Sequence, residues 1–175
     1  MKDKLKNAIQ CSFNQLLAED GDLFDCPIEE NAPYNARKLH EVCVNHRLAN
    51  HLQDKLLPLF ASRDMFVDIE FNREGGEYKK VKVHGVYEVL RPDIIIHNRR
   101  RGREKKNFLV VECKKEATGQ EDIEKDKQRI LAFMKDERYD YSFGLQVVYG
   151  RGGVNGILFS KGRSGFLHEE KIGDS

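Results

Sequence analysis

A chain of 175 residues with 30 Lys and Arg against 29 Asp and Glu carries a net charge of +1, with 39% of its residues hydrophobic and 34% charged. Near-neutrality excludes a polyanion binder that works by bulk charge, so any nucleic-acid affinity must come from local patches. No apolar run is long enough to span a bilayer, and the charges in MKDKLKNAIQ interrupt what a signal peptide needs as an apolar centre, so one cytoplasmic domain is expected with no membrane partner.

Residues 2–19 are read as an amphipathic helix carrying Leu5, Ile9, Phe13, Leu16 and Leu17, with Gly21 as its stop. With the irregular, proline-containing stretch that follows, residues 1–34 form an N-terminal helical extension. It either packs on the core or offers a surface to a second copy or a partner protein. The core is expected over 35–149. It opens with a second helix from 35 to about 57, limited by Pro58 and apolar on two sides: Leu39, Cys43, Ala49 and Leu56, then Val44, Leu48 and Leu52. Residues 66–71 alternate as a strand, 72–76 make a turn, and a short strand with Val81 and Val83 lies within 78–90.

Residues 91–114 follow, and they concentrate the chemistry. RPDIIIH and FLVVECKK read as two buried strands joined by NRRRGREKKN. Alternation puts Glu112 and Lys114 on one face and Cys113 on the other. An antiparallel register that sets Asp93 opposite Glu112 centres the turn between Gly102 and Arg103, and brings two carboxylates to roughly 5 Å at Cβ. Like charges at that distance in an apolar setting repel, and a divalent cation with oxygen ligands resolves the conflict. A structural salt bridge between Lys114 and one carboxylate is the alternative. Arg99, Arg100, Arg101, Arg103, Lys105 and Lys106 crowd the turn. They make either a phosphate-contacting finger or a solvated hairpin tip.

A helix at 121–136 with Ile123, Ile130, Leu131 and Met134 comes next, then a strand at 142–149. The connection is long enough to set that strand parallel to the one carrying Glu112. Residues 150–175 are read as a turn, a last strand at 157–160 and a loose tail from Lys161. Cys11, Cys26, Cys43 and Cys113 form no CxxC pair. His40 and Glu41 start an HExxH pattern that fails at Val44, so no zinc signature is present. The loop YGRGGVNG lacks the spacing of a phosphate-binding motif.

Pro92-Asp93 followed on the next strand by Glu112-Cys113-Lys114 resembles the PD-(D/E)xK motif of the restriction-endonuclease-like nucleases. The element order resembles their αβββαβ core with a mixed sheet flanked by helices, over residues 35–149. Small bacterial proteins with RPDIIIH, VVExK, a D-x-x-R helix (here Asp126 to Arg129) and a Tyr-x-x-Gly-Leu strand are more similar still. The resemblance implies a nuclease that hydrolyses phosphodiester bonds of DNA rather than RNA. Asp93, Glu112 and the Cys113 carbonyl would hold Mg²⁺, with Mn²⁺ as a substitute, and Lys114 would position or activate water. It implies Glu41 as a further acid from the first core helix, with His46, Glu70 and Arg129 as other candidates. The competing expectation is a catalytically silent module of the same fold that acts with a partner protein.

Overall fold

A computed structural model describes residues 1–23, 41–61, 64–74, 76–100, 102–116, 119–150, 153–162 and 166–173. At 22, 41, 74 and 103 the description stops at the backbone. The helices are α1 (Lys2–Asp20), α2 (Glu41–Leu56) and α3 (Gln120–Lys135). The strands are β1 (Phe66–Ile69), β2 (Arg73–Glu74), β3 (Glu77–Tyr78), β4 (Lys80–Val83), β5 (Val86–Val89), β6 (Ile94–His97), β7 (Asn107–Lys115), β8 (Phe143–Gly150), β9 (Gly153–Lys161) and β10 (Leu167–Ile172). The protein is a mixed α/β structure with a six-stranded sheet in the order β1-β6-β7-β8-β9-β10. All neighbours are antiparallel except β7 and β8, which the α3 crossover sets parallel.

The sheet is covered on both faces, which is why β6 and β7 read as nearly continuous apolar runs. Ile94, Ile96, Leu109, Val111 and Cys113 face a core shared with α1 and α2. Ile95 and Val110 face a second core shared with Ile130, Phe133 and Met134 of α3 and with Val81 and Val83 of β4. α1 is a layer of the fold rather than an appendage. Leu5, Ile9, Phe13 and Leu16 are fully buried, and a Cβ on Gly156 of β9 would come 3.1 Å from the Phe13 ring. α2 buries one face, with Val44, Leu48, Ala49, Leu52 and Leu56 inward. The two-sided burial expected for it fails at Cys43, which is exposed. Its expected start at 35 and Leu39 lie outside the described residues.

Three further expectations are corrected. The strand expected over 66–71 ends at Ile69, because Glu70 turns to φ +49°. The region 78–90 supplies no strand to the main sheet: β2–β3 and β4–β5 form two separate hairpins. The tail expected to be loose from Lys161 instead forms β10, paired along its length with a β9 longer than the strand expected at 157–160. Among the described residues no helix is long and apolar enough to cross a membrane.

Candidate active site

The predicted register is found next to Asp93, with Ile94 opposite Val111, Ile95 opposite Val110 and Ile96 opposite Leu109, and it shifts by one residue between Ile96 and His97 on the turn side. One step beyond Ile94 it brings Asp93 alongside Glu112. The Asp93 carboxylate Oδ2 accepts a hydrogen bond from the Cys113 backbone N–H at 2.7 Å, while the Asp93 carbonyl accepts from Glu70 N–H at 2.9 Å. Asp93 is thereby locked to the strand that carries Glu112.

Parallel pairing sets Gly144 and Gln146 of β8 beside Val110 and Glu112. Both β8 residues seat α3. A Cβ on Gly144 would stand 2.2 Å from Ile130 Cγ2 and 2.9 Å from Met134 Sδ, so only glycine admits the helix at this height. Gln146 Nε2 donates to the Ile123 carbonyl at 2.5 Å, further toward the start of the helix. Asp126 precedes Ile130 by four residues and shares its inward face. It is buried against the sheet, 1% exposed. Its Oδ2 meets the Lys114 ammonium at 3.3 Å as an ion pair without hydrogen-bond alignment, and its Oδ1 accepts from Arg129 Nη1 at 3.1 Å. Arg129 Nε reaches Glu88 Oε2 on β5 at 3.9 Å.

One face of the sheet thus gathers Asp93, Glu112, Lys114, Asp126 and Arg129. Glu112 is 6% exposed. Burial first, then the charges of Asp93 and Asp126, push its carboxyl well above the ordinary range, against the opposing pull of Arg129 and Lys114. Burial also raises the Asp126 carboxyl, against the two cations it contacts. Buried carboxyl groups that are costly to ionise, flanked by a lysine and an arginine, make up a donor set of the kind a hard cation takes.

Lys114 makes a salt bridge to Asp126, a residue that stands out in the sequence only as part of a helix motif and is not among the expected site residues. The signal for it is a carboxylate four residues before Ile130, within the apolar stripe of α3. Arg129 joins the site as a partner of Asp126. Glu70 stands next to Asp93 through the backbone, with its carboxylate 3.3 Å from Arg91. His46 does not join: it is exposed on the side of α2 away from the buried Val44 and Leu48. The Glu41 side chain lies outside the described residues.

The basic turn stands at the other end of β7, five residues from Glu112 or about 17 Å along the strand. Asn98 organises it: its Oδ1 accepts from Lys106 N–H at 2.9 Å and Arg100 N–H at 3.2 Å, and its Nδ2 donates to the Glu104 carbonyl at 2.6 Å. Arg99 Nε donates to Asp68 Oδ2 at 2.8 Å, Arg100 pairs with Glu104 at 2.8 Å, and Lys105 donates to the Arg138 carbonyl. Lys106 is exposed. Arg101 and the Arg103 side chain lie outside the described residues. A cavity of about 620 Å³ opens at this same end, lined in part by Phe60, Lys106, Phe108 and Asp140, and so lies away from the carboxylates.

Among the described residues, one group of three potential ligands has its atoms within 4.8 Å of one another: Glu19, Asp20 and His51. Both Asp20 oxygens there are already engaged, by Arg47 Nε at 2.5 Å and His51 Nε2 at 2.8 Å, and these contacts tie α1 to α2. Asp93 and Glu112 are not joined by a third such ligand at that distance among the described residues. No protein-family profile matches the chain, and no curated protein is significantly similar to it.

Proposed function

We propose that the protein is a Mg²⁺-dependent nuclease of the PD-(D/E)xK type, acting on DNA. The observation that carries this reading is the placement of Asp93, Glu112 and Lys114 on one face of an antiparallel pair, with Asp93 hydrogen-bonded into the strand that bears the other two. The order α2, β1, β6, β7, α3, β8, with β7 and β8 parallel, supports a restriction-endonuclease-like αβββαβ core, with the two small hairpins as an insertion between its first two strands.

The donor set fits the ion. Asp93 and Glu112 would hold it, with the Cys113 carbonyl; burial first and then the charges of Asp93 and Asp126 raise the Glu112 carboxyl, and a divalent cation would offset both. When bound, Mg²⁺ supplies charge to polarise the scissile phosphate and lowers the pKa of coordinated water. Lys114, held by Asp126, presents its ammonium protons to the attacking water or to a phosphate oxygen, so that attack and developing charge are oriented by one group. Arg129 keeps the Asp126 carboxylate turned toward Lys114. Mn²⁺ is expected to substitute for Mg²⁺.

The test is plasmid nicking with Mg²⁺, with chelator, and with Asp93→Ala, Glu112→Ala and Lys114→Ala. Metal-dependent cleavage lost in each variant is expected, and activity that survives all three would sink the assignment. The second reading, a silent binding module of the same fold, is favoured by one observation: Glu112 is only 6% exposed, so the carboxylate central to the chemistry is closed off from solvent. Calorimetry decides between them, because a protein that takes up neither Mg²⁺ nor Mn²⁺ cannot perform this chemistry.

A further inference from the structure

The cations of the basic turn stand at the far end of β7 from the carboxylates, whereas the β4–β5 hairpin stands beside them. It is pinned from below. Lys79, fully buried, donates from Nζ to the Tyr141 hydroxyl at 3.2 Å, the Lys80 backbone N–H donates to the Tyr139 hydroxyl at 2.9 Å, and Glu88 reaches Arg129. Val89 precedes Asp93 by four residues, so at most about 14 Å of chain separates the hairpin from the first carboxylate.

The hairpin's two faces differ in kind. Val81 and Val83 point into the core below α3. The outward pairs are Lys80 opposite Val89 and Lys82 opposite Tyr87. A solvated strand face is ordinarily polar, yet Tyr87 is 64% exposed and Val89 56%, with Val86 at the turn 65% exposed. No carboxylate or amide interrupts these outward pairs. Neither Lys80 nor Lys82 has a side-chain ion pair among the described residues. The Arg138 guanidinium lies 5.7 Å from the Tyr87 ring at the edge of the patch, its own charge largely answered by Asp136.

We infer that the outward face of the β4–β5 hairpin is a docking surface for single-stranded DNA leading toward Asp93 and Glu112. The charge is complementary: two ammoniums on one face, two residues and so roughly 7 Å apart, face neighbouring phosphates of an extended strand. Tyr87 and Val89 between them offer a surface on which a base stacks, and stacking on Tyr87 requires a base that is not already paired in a duplex. The Tyr87 hydroxyl and the two ammoniums are equally able to engage a 2′-hydroxyl, so the choice of a deoxy strand follows from the nuclease reading. The inference rests on the nuclease reading for the deoxy sugar and for the direction in which the strand is led, and on the hairpin alone for binding.

The experiment measures fluorescence anisotropy of a labelled oligodeoxythymidine with the full chain in EDTA, where no cleavage occurs. Tyr87→Ala is expected to weaken binding about ten-fold while Tyr87→Phe retains it. The Lys80→Gln, Lys82→Gln pair is expected to lower the slope of log Kd against log salt by about 1.4. Equal thermal melting of the variants establishes that the fold is kept; should Tyr87→Ala fail to fold, the Tyr87→Phe and lysine variants still report. Affinity unchanged in Tyr87→Ala, or a salt slope unchanged in the lysine variant, would overturn the inference. So would a duplex or an oligouridine that binds as tightly and loses as much on Tyr87→Ala. Hairpin-dependent binding without Mg²⁺-dependent cleavage would uphold this surface and remove the nuclease reading; cleavage with hairpin-indifferent binding would do the reverse.

Discussion

Lys114 and Asp126 face one another across the seam between β7 and α3, Nζ to Oδ2 at 3.3 Å, and the pair ties the candidate chemistry to the docking of the helix. Asp126 is the shared partner of two cations that are each partly solvated, Lys114 at 24% and Arg129 at 34% side-chain exposure. Removing it leaves both cations without that carboxylate. A buried pair broken from one side costs about 3–5 kcal/mol, and solvent at the two cations reduces this, so Asp126→Ala is expected to lose about 1–3 kcal/mol in urea denaturation. Asp126→Asn, which keeps the shape, is expected to lose less. In the nicking assay both should slow cleavage about ten-fold, because Lys114 then loses the Asp126 carboxylate. Full activity in Asp126→Ala would remove Asp126 from any positioning role.

Glu112 is buried among like charges, and its folded carboxyl titrates above the ordinary value of 4.5. The folded state therefore holds its proton more tightly than the unfolded chain does. Its contribution to stability is fully present below about pH 4.5 and is lost as pH rises toward the raised folded value. Glu112→Gln removes that loss. At pH 7 without metal the variant is expected to melt higher than the parent, with the difference closing near pH 4. Added Mg²⁺ is expected to stabilise the parent and leave Glu112→Gln unmoved. A variant that melts lower than the parent at pH 7 would contradict the charge burial derived for this site.

Much of this arrangement is legible in the order of the residues alone. The alternation in FLVVECKK separates Glu112 and Lys114 from Cys113, and Gly102 marks the turn that sets Asp93 beside Glu112. What is not legible depends on contacts between elements distant in sequence. Asp126 looks like one more charge on a charged helix until Gly144 and Gln146 fix the height at which α3 docks. β10 reads as a polar tail because His168, Glu169 and Lys171 are exposed on an edge strand, where only Ile172 is buried.

Gly144 offers a test of how tightly that docking is held. Its Cβ position is occupied by Ile130 Cγ2 at 2.2 Å, so Gly144→Ala forces α3 away from β8 and is expected to cost about 1–3 kcal/mol. Ile130→Leu in the same chain moves the branch from Cβ to Cγ and so removes Cγ2, and the double variant should lose less than the sum of the two single losses. Double-mutant stability measurements check this, with two purely additive losses as the contrary result.

Asp68 provides the opposite pH sign at the other end of the sheet. Burial works against its ionisation, but hydrogen bonds from His97 and Arg99 and the nearby Arg99 charge overcome it, holding the carboxyl well below its ordinary 3.8. Here the folded state binds the proton less tightly than the unfolded chain. The stabilising contribution is present above about pH 3.8 and is lost as pH falls through the lower folded value. Asp68→Asn removes a carboxylate that accepts from His97 Nε2 at 2.8 Å and Arg99 Nε at 2.8 Å. A hydrogen bond to a charged group contributes about 1.5–3 kcal/mol, and the half-exposed Arg99 contributes toward the lower end, so the variant is expected to lose about 2 kcal/mol at pH 7. Urea denaturation of parent and variant across pH 2–7 should show two curves converging at the acid end. Parallel curves would mean that the Asp68 charge contributes nothing and that its place is set by packing alone.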